Sequence, residues 1–338
     1  MLIEQAVDAL INGENLSSEA MTTVMRQIMT GGATDAQIGG FLVALSMKGE
    51  TVSELAAAAG VMRELSLKVK VTAPNPVDIV GTGGDSAGIF NVSTAASIVV
   101  AAAGATVAKH GNRSVTSTTG SADLLEAAGV NLALSPEQVE RCINDVGVGF
   151  MFAPNHHSAM KYAIGPRKEL KIRTIFNLLG PLTNPAGAQH LLLGVFSKDW
   201  LRPFAEALQT LGAKHVLVVH SAEGLDEISI AGETAVCELK NGTISEYTFK
   251  PGDAGISVQS LDALKVANAD ESLALIQAAF AGDAPVAADM IALNAGAALY
   301  TADVVATIAD GVHLAHDVMA SGQAAEKLAN WVAYSSVM

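Results

Sequence analysis

The chain predicts a two-part α/β protein: a small all-helical unit followed by a larger unit in which strands and helices alternate. Three observations carry this. Up to about Val69 the apolar residues recur at helical spacing. The proline-bearing stretch Thr72-Ala-Pro-Asn-Pro76 then interrupts the pattern. From Val77 a buried strand, a glycine turn, a helix and a second strand follow in order, and at 338 residues the chain exceeds the ~250–300 at which a single core usually splits.

Taken in order, Leu2, Val7 and Leu10 share the face of a first helix, and Ser17 caps a second that carries Ala20, Val24 and Ile28. Gly31-Gly32 closes that helix. Thr34 opens the next, with Gln37 three residues on as in a capping box, and Ser53 starts a further alanine-rich helix. Val77–Val80 is a short strand running into Gly81-Thr-Gly-Gly-Asp85. Asn91–Ala103 is a helix, and Thr106–Ala108 a second strand ending at Lys109-His-Gly. Two strands joined by a helix imply a βαβ unit with a parallel pair. Helices from Ala122 and Pro136, a strand near Val148, and strands His190–Val195 and His215–Val219 continue the alternation. Ile228–Tyr247 is β-rich, and alanine-rich helices run from Glu271 to the end. No internal repeat breaks this order.

Composition narrows the function. Half of the residues are hydrophobic and only 4% aromatic, so the core is built of small side chains that suit helices packed closely on a sheet. Twenty Lys and Arg against 34 Asp and Glu leave a net charge of −14, a field that repels nucleic acid and anionic membranes. A phosphorylated ligand would need a local cluster of donors. Cys142 and Cys237 have no partner spacing for zinc or a redox pair and read as buried small hydrophobes of a reducing compartment. The N-terminus lacks a basic leader, and the longest apolar stretch, Ile98–Ala108, ends at Lys109, well short of a span. The expectation is a soluble cytoplasmic protein.

Polar residues collect at four places. Gly81-Thr-Gly-Gly-Asp85, followed by Asn91-Val-Ser-Thr94 at a helix start, would let backbone and hydroxyl donors approach a bulky anion. By itself it reads equally as a tight strand–helix turn, and it is neither a Walker loop nor a dinucleotide fingerprint. Lys109-His-Gly-Asn-Arg-Ser-Val-Thr-Ser117 ends the adjacent strand, with Thr118-Thr-Gly-Ser121 beyond it, and loops at strand carboxyl ends are where open α/β sheets bind ligands. Asp226-Glu227 offers hard oxygen ligands suited to Mg²⁺, although two acids in a turn are commonly only solvated. Last come His157 to Arg167 and Arg173-Thr-Ile-Phe-Asn-Leu-Leu-Gly-Pro-Leu-Thr-Asn-Pro-Ala186, where Arg167 could pair with a carboxylate and Pro181 and Pro185 stiffen the chain.

In combination, GTGGD, NVSTA, KHGNR, RTIFNLLGPLTNPA and the late Asp-Glu pair resemble the anthranilate phosphoribosyltransferase family over nearly the whole chain. The resemblance implies a small helical domain, residues 1–72 with 163–185, and an α/β catalytic domain, residues 73–162 with 186–338. Its central sheet would be mixed and largely parallel, as in nucleoside phosphorylases and phosphoribosyltransferases, and two copies would pair through the helical domains. By matching position, Gly81, Gly84, Asp85, Asn91, Val92, Ser93 and Thr94 would hold phosphoribosyl pyrophosphate. Lys109, His110, Gly111, Asn112, Arg113, Ser114, Val115, Thr116 and Ser117 would form a loop over it, with Ser121 adding a contact. Gly81, His110, Asn112, His157 and Arg167 would bind anthranilate. Ser93, Asp226 and Glu227 would ligate Mg²⁺, and Lys109, Asp226 and Glu227 would be the catalytic residues. Ile89 departs from the hydroxyl residue common there, and Lys stands in the Arg167–Lys171 segment where glycine is common.

Two other readings share this fold class. A pyrimidine nucleoside phosphorylase also uses a Lys-containing loop before a glycine turn, but HGNR and the RTIFNLLGPLTNPA run favour the transferase. A nucleic-acid-binding paralogue would show a basic face, which a charge of −14 opposes.

Overall fold

The computed structural model describes residues 1–84, 87–113 and 119–338. Four helices open the chain: α1 (Ile3–Ile11), α2 (Ser18–Met29), α3 (Asp35–Lys48) and α4 (Val52–Leu65). Their starts follow the sequence closely. Ser17 Oγ accepts from the Ala20 N–H, and Thr34 and Gln37 form a reciprocal capping box. The fourth begins at Val52, one residue before the Ser53 expected from sequence, because Thr51 caps it and forms the box with Glu54.

The larger unit follows as β1 (Val77–Gly81), α5 (Val92–Ala102), β2 (Val107–Gly111), α6 (Ser121–Ala127), α7 (Pro136–Arg141), β3 (Val148–Phe152) and α8 (Ala153–His156). Then come α9 (Lys161–Leu170), α10 (Ile175–Leu179), β4 (His190–Gly194), α11 (Leu201–Thr210), β5 (His215–Ser221), β6 (Thr234–Lys240) and β7 (Thr243–Phe249). Four helices close the chain: α12 (Ala269–Ala281), α13 (Pro285–Thr301), α14 (Ile308–Ala320) and α15 (Gln323–Ser336). No single helix among the described residues is long and apolar enough to cross a membrane.

The seven strands form one sheet in the order β3-β2-β1-β4-β5-β6-β7. The first five are parallel and the last two antiparallel, so the β-rich stretch after Ile228 resolves into a hairpin at the sheet edge. Side chains alternate across the sheet. Leu192, Leu217 and Val219 face a core built with α5 and α12–α15. Leu191, Leu193, Val216 and Val218 face the other way, into a core shared with α1–α4 and α9–α11. Helix α9 turns back onto the N-terminal helices, where Tyr162 packs on the glycine turn after α2. On the opposite side α13 and α14 touch backbone to backbone: a Cβ at Gly296 or Gly311 would collide with the main chain of the other helix. Both cysteines are buried and unpaired, and burial pushes each thiol up to about 11.

Candidate functional site

The strand order reverses between β1 and β4, which continue in opposite directions across the sheet. A crevice outside the carboxyl ends of strands opens at such a switch point. Here it is made by two glycines that end the paired strands, Gly81 opposite Gly194. A Cβ at Gly81 would run into the Asp226 carboxylate, and one at Gly194 into the Asp226 carbonyl. The absent side chains therefore let the Asp226-Glu227 turn lie against the strand ends. Asp226 Oδ2 accepts from the Gly83 N–H at 2.7 Å, and Glu227 Oε1 from the Ser93 N–H at 3.2 Å. The acidic pair is thus not a merely solvated turn: it is bonded to the glycine loop and to the first turn of α5.

Lys109 lies beside them and is 1% exposed. Strand β2 runs on through Gly111, beyond the Ala108 end expected from sequence, so Lys109, His110 and Gly111 belong to the strand rather than to the loop over it. The Lys109 ammonium donates to the Ile79 carbonyl and stands 3.4 Å from Ser93 Oγ. Burial pulls its pKa down, while Asp78, Glu227 and Asp226 oppose that shift. Asp78, the second residue of β1, is fully buried. Burial pushes its carboxyl up to about 6, against Lys109, the Asn184 amide and the His110 N–H. Its two oxygens accept from His110 N at 3.1 Å and from Asn184 Nδ2 at 2.7 Å.

A second cluster stands next to the first. The His110 and His157 rings meet edge to face with centroids 5.1 Å apart. Burial lowers His110 well below the ordinary histidine range and His157 to about 4, so both are neutral at physiological pH. Nε2 of each is buried with no hydrogen-bond partner among the described residues. The Arg167 guanidinium lies 5.2 Å from the centre of the Phe176 ring, and no acid pairs with it among the described residues. Arg173, between α9 and α10, donates from Nη2 to the Gly84 carbonyl at 3.0 Å while stacking on Phe196.

Other expected residues are engaged elsewhere. Asn91 bonds Ser272 of α12 and the Thr119 carbonyl rather than capping α5. Arg113 is exposed and turned to α6, where Asp123 and Glu126 hold it at 2.9 and 2.8 Å. Asn112 accepts from the Arg113 N–H. Val92 is buried, and Thr94 Oγ1 is buried without a partner among the described residues. Ser121 starts α6. Asp85 and Ser114, Val115, Thr116 and Ser117 lie outside the described residues. Asp78, Asn184 and Arg173 were not among the expected site residues. The signal for the first was an acid inside an otherwise apolar strand, Val77-Asp-Ile-Val80.

Comparison with known proteins gives the same arrangement a family. Residues 4–66 match the helical bundle domain of the glycosyl transferase family and residues 73–325 its a/b domain. The anthranilate phosphoribosyltransferase of Saccharophagus degradans is 60% identical over 100% of both chains, and that of Ectopseudomonas mendocina 58% over 100% of this chain and 98% of its own. Among solved structures, the anthranilate phosphoribosyltransferase of Thermus thermophilus superposes with a TM-score of 0.92 at 46% identity, covering 98% of this chain and 99% of its own. The Saccharomyces cerevisiae enzyme in complex with PRPP and Mg gives 0.90 at 26% identity, over 99% and 98%.

Proposed function

The chain belongs to the anthranilate phosphoribosyltransferases of the glycosyl transferase family, and from that premise we infer how its residues serve the reaction. It transfers the 5-phosphoribosyl group from phosphoribosyl pyrophosphate to the amine of anthranilate, releasing pyrophosphate, in tryptophan biosynthesis. The observation that carries the reading is the convergence of the glycine loop, Lys109 and the acidic pair at the β1–β4 switch point.

The donors suit magnesium. Ser93, Asp226 and Glu227 are all hard oxygen ligands: Gly81 and Gly194 leave room for Asp226, and Glu227 is bonded to the Ser93 N–H. We assign these three residues to the metal, which would neutralise charge on the pyrophosphate leaving group. Around it, Gly81, Gly84, Asn91 to Thr94, Lys109 and the segment to Ser121 would hold phosphoribosyl pyrophosphate. The anomeric carbon loses pyrophosphate through a transition state with oxocarbenium character, by analogy with glycosyl transfer. Lys109 adds a second positive charge to the departing group. The anthranilate amine is weakly basic and already neutral at pH 7, so no general base is assigned. Arg167 would take the anthranilate carboxylate, with Asn112 and the neutral His110 and His157 beside the ring. Catalysis then comes mainly from holding two substrates in line.

The proposed division is a helical unit, residues 1–72 with 163–185, on an α/β unit of residues 73–162 with 186–338. We also propose a cytoplasmic homodimer paired through the helical unit; the exposed Leu2, Ile11 and Met47 there support it. The net charge of −14 argues against nucleic-acid partners. Anthranilate fluorescence tests the reaction directly. It should decay only when enzyme, phosphoribosyl pyrophosphate and Mg²⁺ are all present; persistent fluorescence with folded protein would rule the assignment out.

A further inference from the structure

Strands β1 and β2 are joined differently from their neighbours. β1–β4 and β2–β3 pair along five residues each, whereas β1–β2 keeps only Val77 opposite Val107, with the Val77 N–H on the Thr106 carbonyl. A parallel ladder continued from that pair would next join the Ile79 N–H to the Ala108 carbonyl and the His110 N–H to the Ile79 carbonyl. Three of those four groups have a side-chain hydrogen bond instead. Asn184 Nδ2 donates to the Ala108 carbonyl at 2.8 Å. The His110 N–H donates to Asp78 Oδ1, and the Ile79 N–H also faces the Asp78 carboxylate. The Ile79 carbonyl accepts from the Lys109 ammonium. Asn184 and Asp78 bond one another at 2.7 Å, and Asn184 Oδ1 is held by the Ala186 N–H at 2.8 Å. All three side chains are buried.

We propose that Asp78 and Asn184 are positioning residues for the phosphoribosyl transfer, forming a polar wedge that replaces the β1–β2 ladder and sets Lys109 and His110. Burying polar groups is costly unless they are partnered, and here side chains take up three of the four groups that the missing ladder leaves, with the Asp78 carboxylate beside the fourth. The wedge lets the Lys109 side chain pass into the opened seam toward Ser93 rather than stand off the sheet face. Asn184 lies in the segment that returns from α10 to β4, so the wedge also ties the chain that carries Arg167 to the strand that carries Lys109.

The inference rests on the transferase reading, and two readouts separate their failures. Asn184→Ala and the isosteric Asp78→Asn are compared with the wild type at a temperature where far-UV circular dichroism shows all three folded. Turnover should fall at least tenfold in each, and by more than either KM rises, because the other substrate-binding groups remain while Lys109 is displaced. A purely structural role would lower the melting temperature and leave kcat within twofold, and that result overturns the proposal. Independently of turnover, amide hydrogen exchange at Ile79 and His110 should speed up in Asn184→Ala; unchanged exchange there also overturns it. The swap Asp78→Asn/Asn184→Asp keeps charge and mutual pairing but removes the donor to Ala108. Recovery of wild-type kcat by the swap would show that the ladder replacement is not what matters. A wild type without turnover would fail the function reading, while the exchange experiment would still decide the wedge.

Discussion

Arg167 stands over Phe176 with no acid among the described residues to neutralise it, a costly arrangement unless a ligand supplies the anion. Removing it should therefore be felt by one substrate. Arg167→Ala is expected to raise KM for anthranilate by roughly 10–100-fold, since a charged hydrogen bond contributes ~1.5–3 kcal/mol. KM for phosphoribosyl pyrophosphate should move little, and steady-state kinetics with each substrate varied in turn reads the difference. His157 makes a prediction about pH. Its folded pKa of about 4 lies below the ordinary 6.5, so between those values the unfolded chain binds a proton that the folded chain rejects. Its contribution is complete above pH 6.5 and is lost as pH falls toward 4, by up to about 1.4 kcal/mol per unit. Asp78 works in the opposite sense: its carboxyl is raised from 3.8 to about 6, so burying its charge costs stability at neutral pH and acidification relieves that cost. Thermal melts should fall less steeply from pH 6.5 to 4.5 in His157→Gln than in the wild type. At this scale the sequence exposed residues with unusual company, such as two cations in an acidic chain or an Asp-Glu pair. It could not show Asp78 or Asn184 as part of the site, because their significance lies in main-chain groups that only the folded sheet leaves unpaired.

Among the elements, the start of α4 concentrates several roles in one side chain. Glu54 accepts from the Thr51 N–H and hydroxyl, from the Leu16 N–H at 2.8 Å, and from the Lys48 ammonium at 2.8 Å, with both charged side chains nearly inaccessible. Glu54→Ala would leave Lys48 buried without its partner, and breaking a buried pair from one side costs about 3–5 kcal/mol. A urea midpoint shifted down by the corresponding amount, with unchanged slope, is the expected outcome. Helix starts of this kind were legible because capping is local: Ser17, Thr34 and Gln37 act within four residues of themselves. The extent of β2 was not. Lys, His and Gly are poor strand formers, and Lys109 to Gly111 stay extended because β3 pairs with them residue for residue.

For the whole molecule, the order of strands and helices was readable from the alternation of motifs, while the strand order across the sheet was not. The position of β4 beside β1 depends on where the chain goes between residues 153 and 189, a stretch that leaves the sheet and comes back. That excursion has a consequence for how such proteins recombine. Helices α9 and α10 pack on α2, α3 and α4, and their apolar residues sit in one core with the N-terminal helices. A gene shuffled with a relative at a single crossover near residue 70 would therefore inherit mismatched halves of one packed surface. Chimeras with that crossover are expected to be poorly soluble or to melt early, whereas those that exchange 1–70 and 160–184 together should melt later than these. On the proposed division the swappable unit is discontinuous in the gene and continuous only in space, and a library built with one or two breakpoints would test it by which clones survive heating.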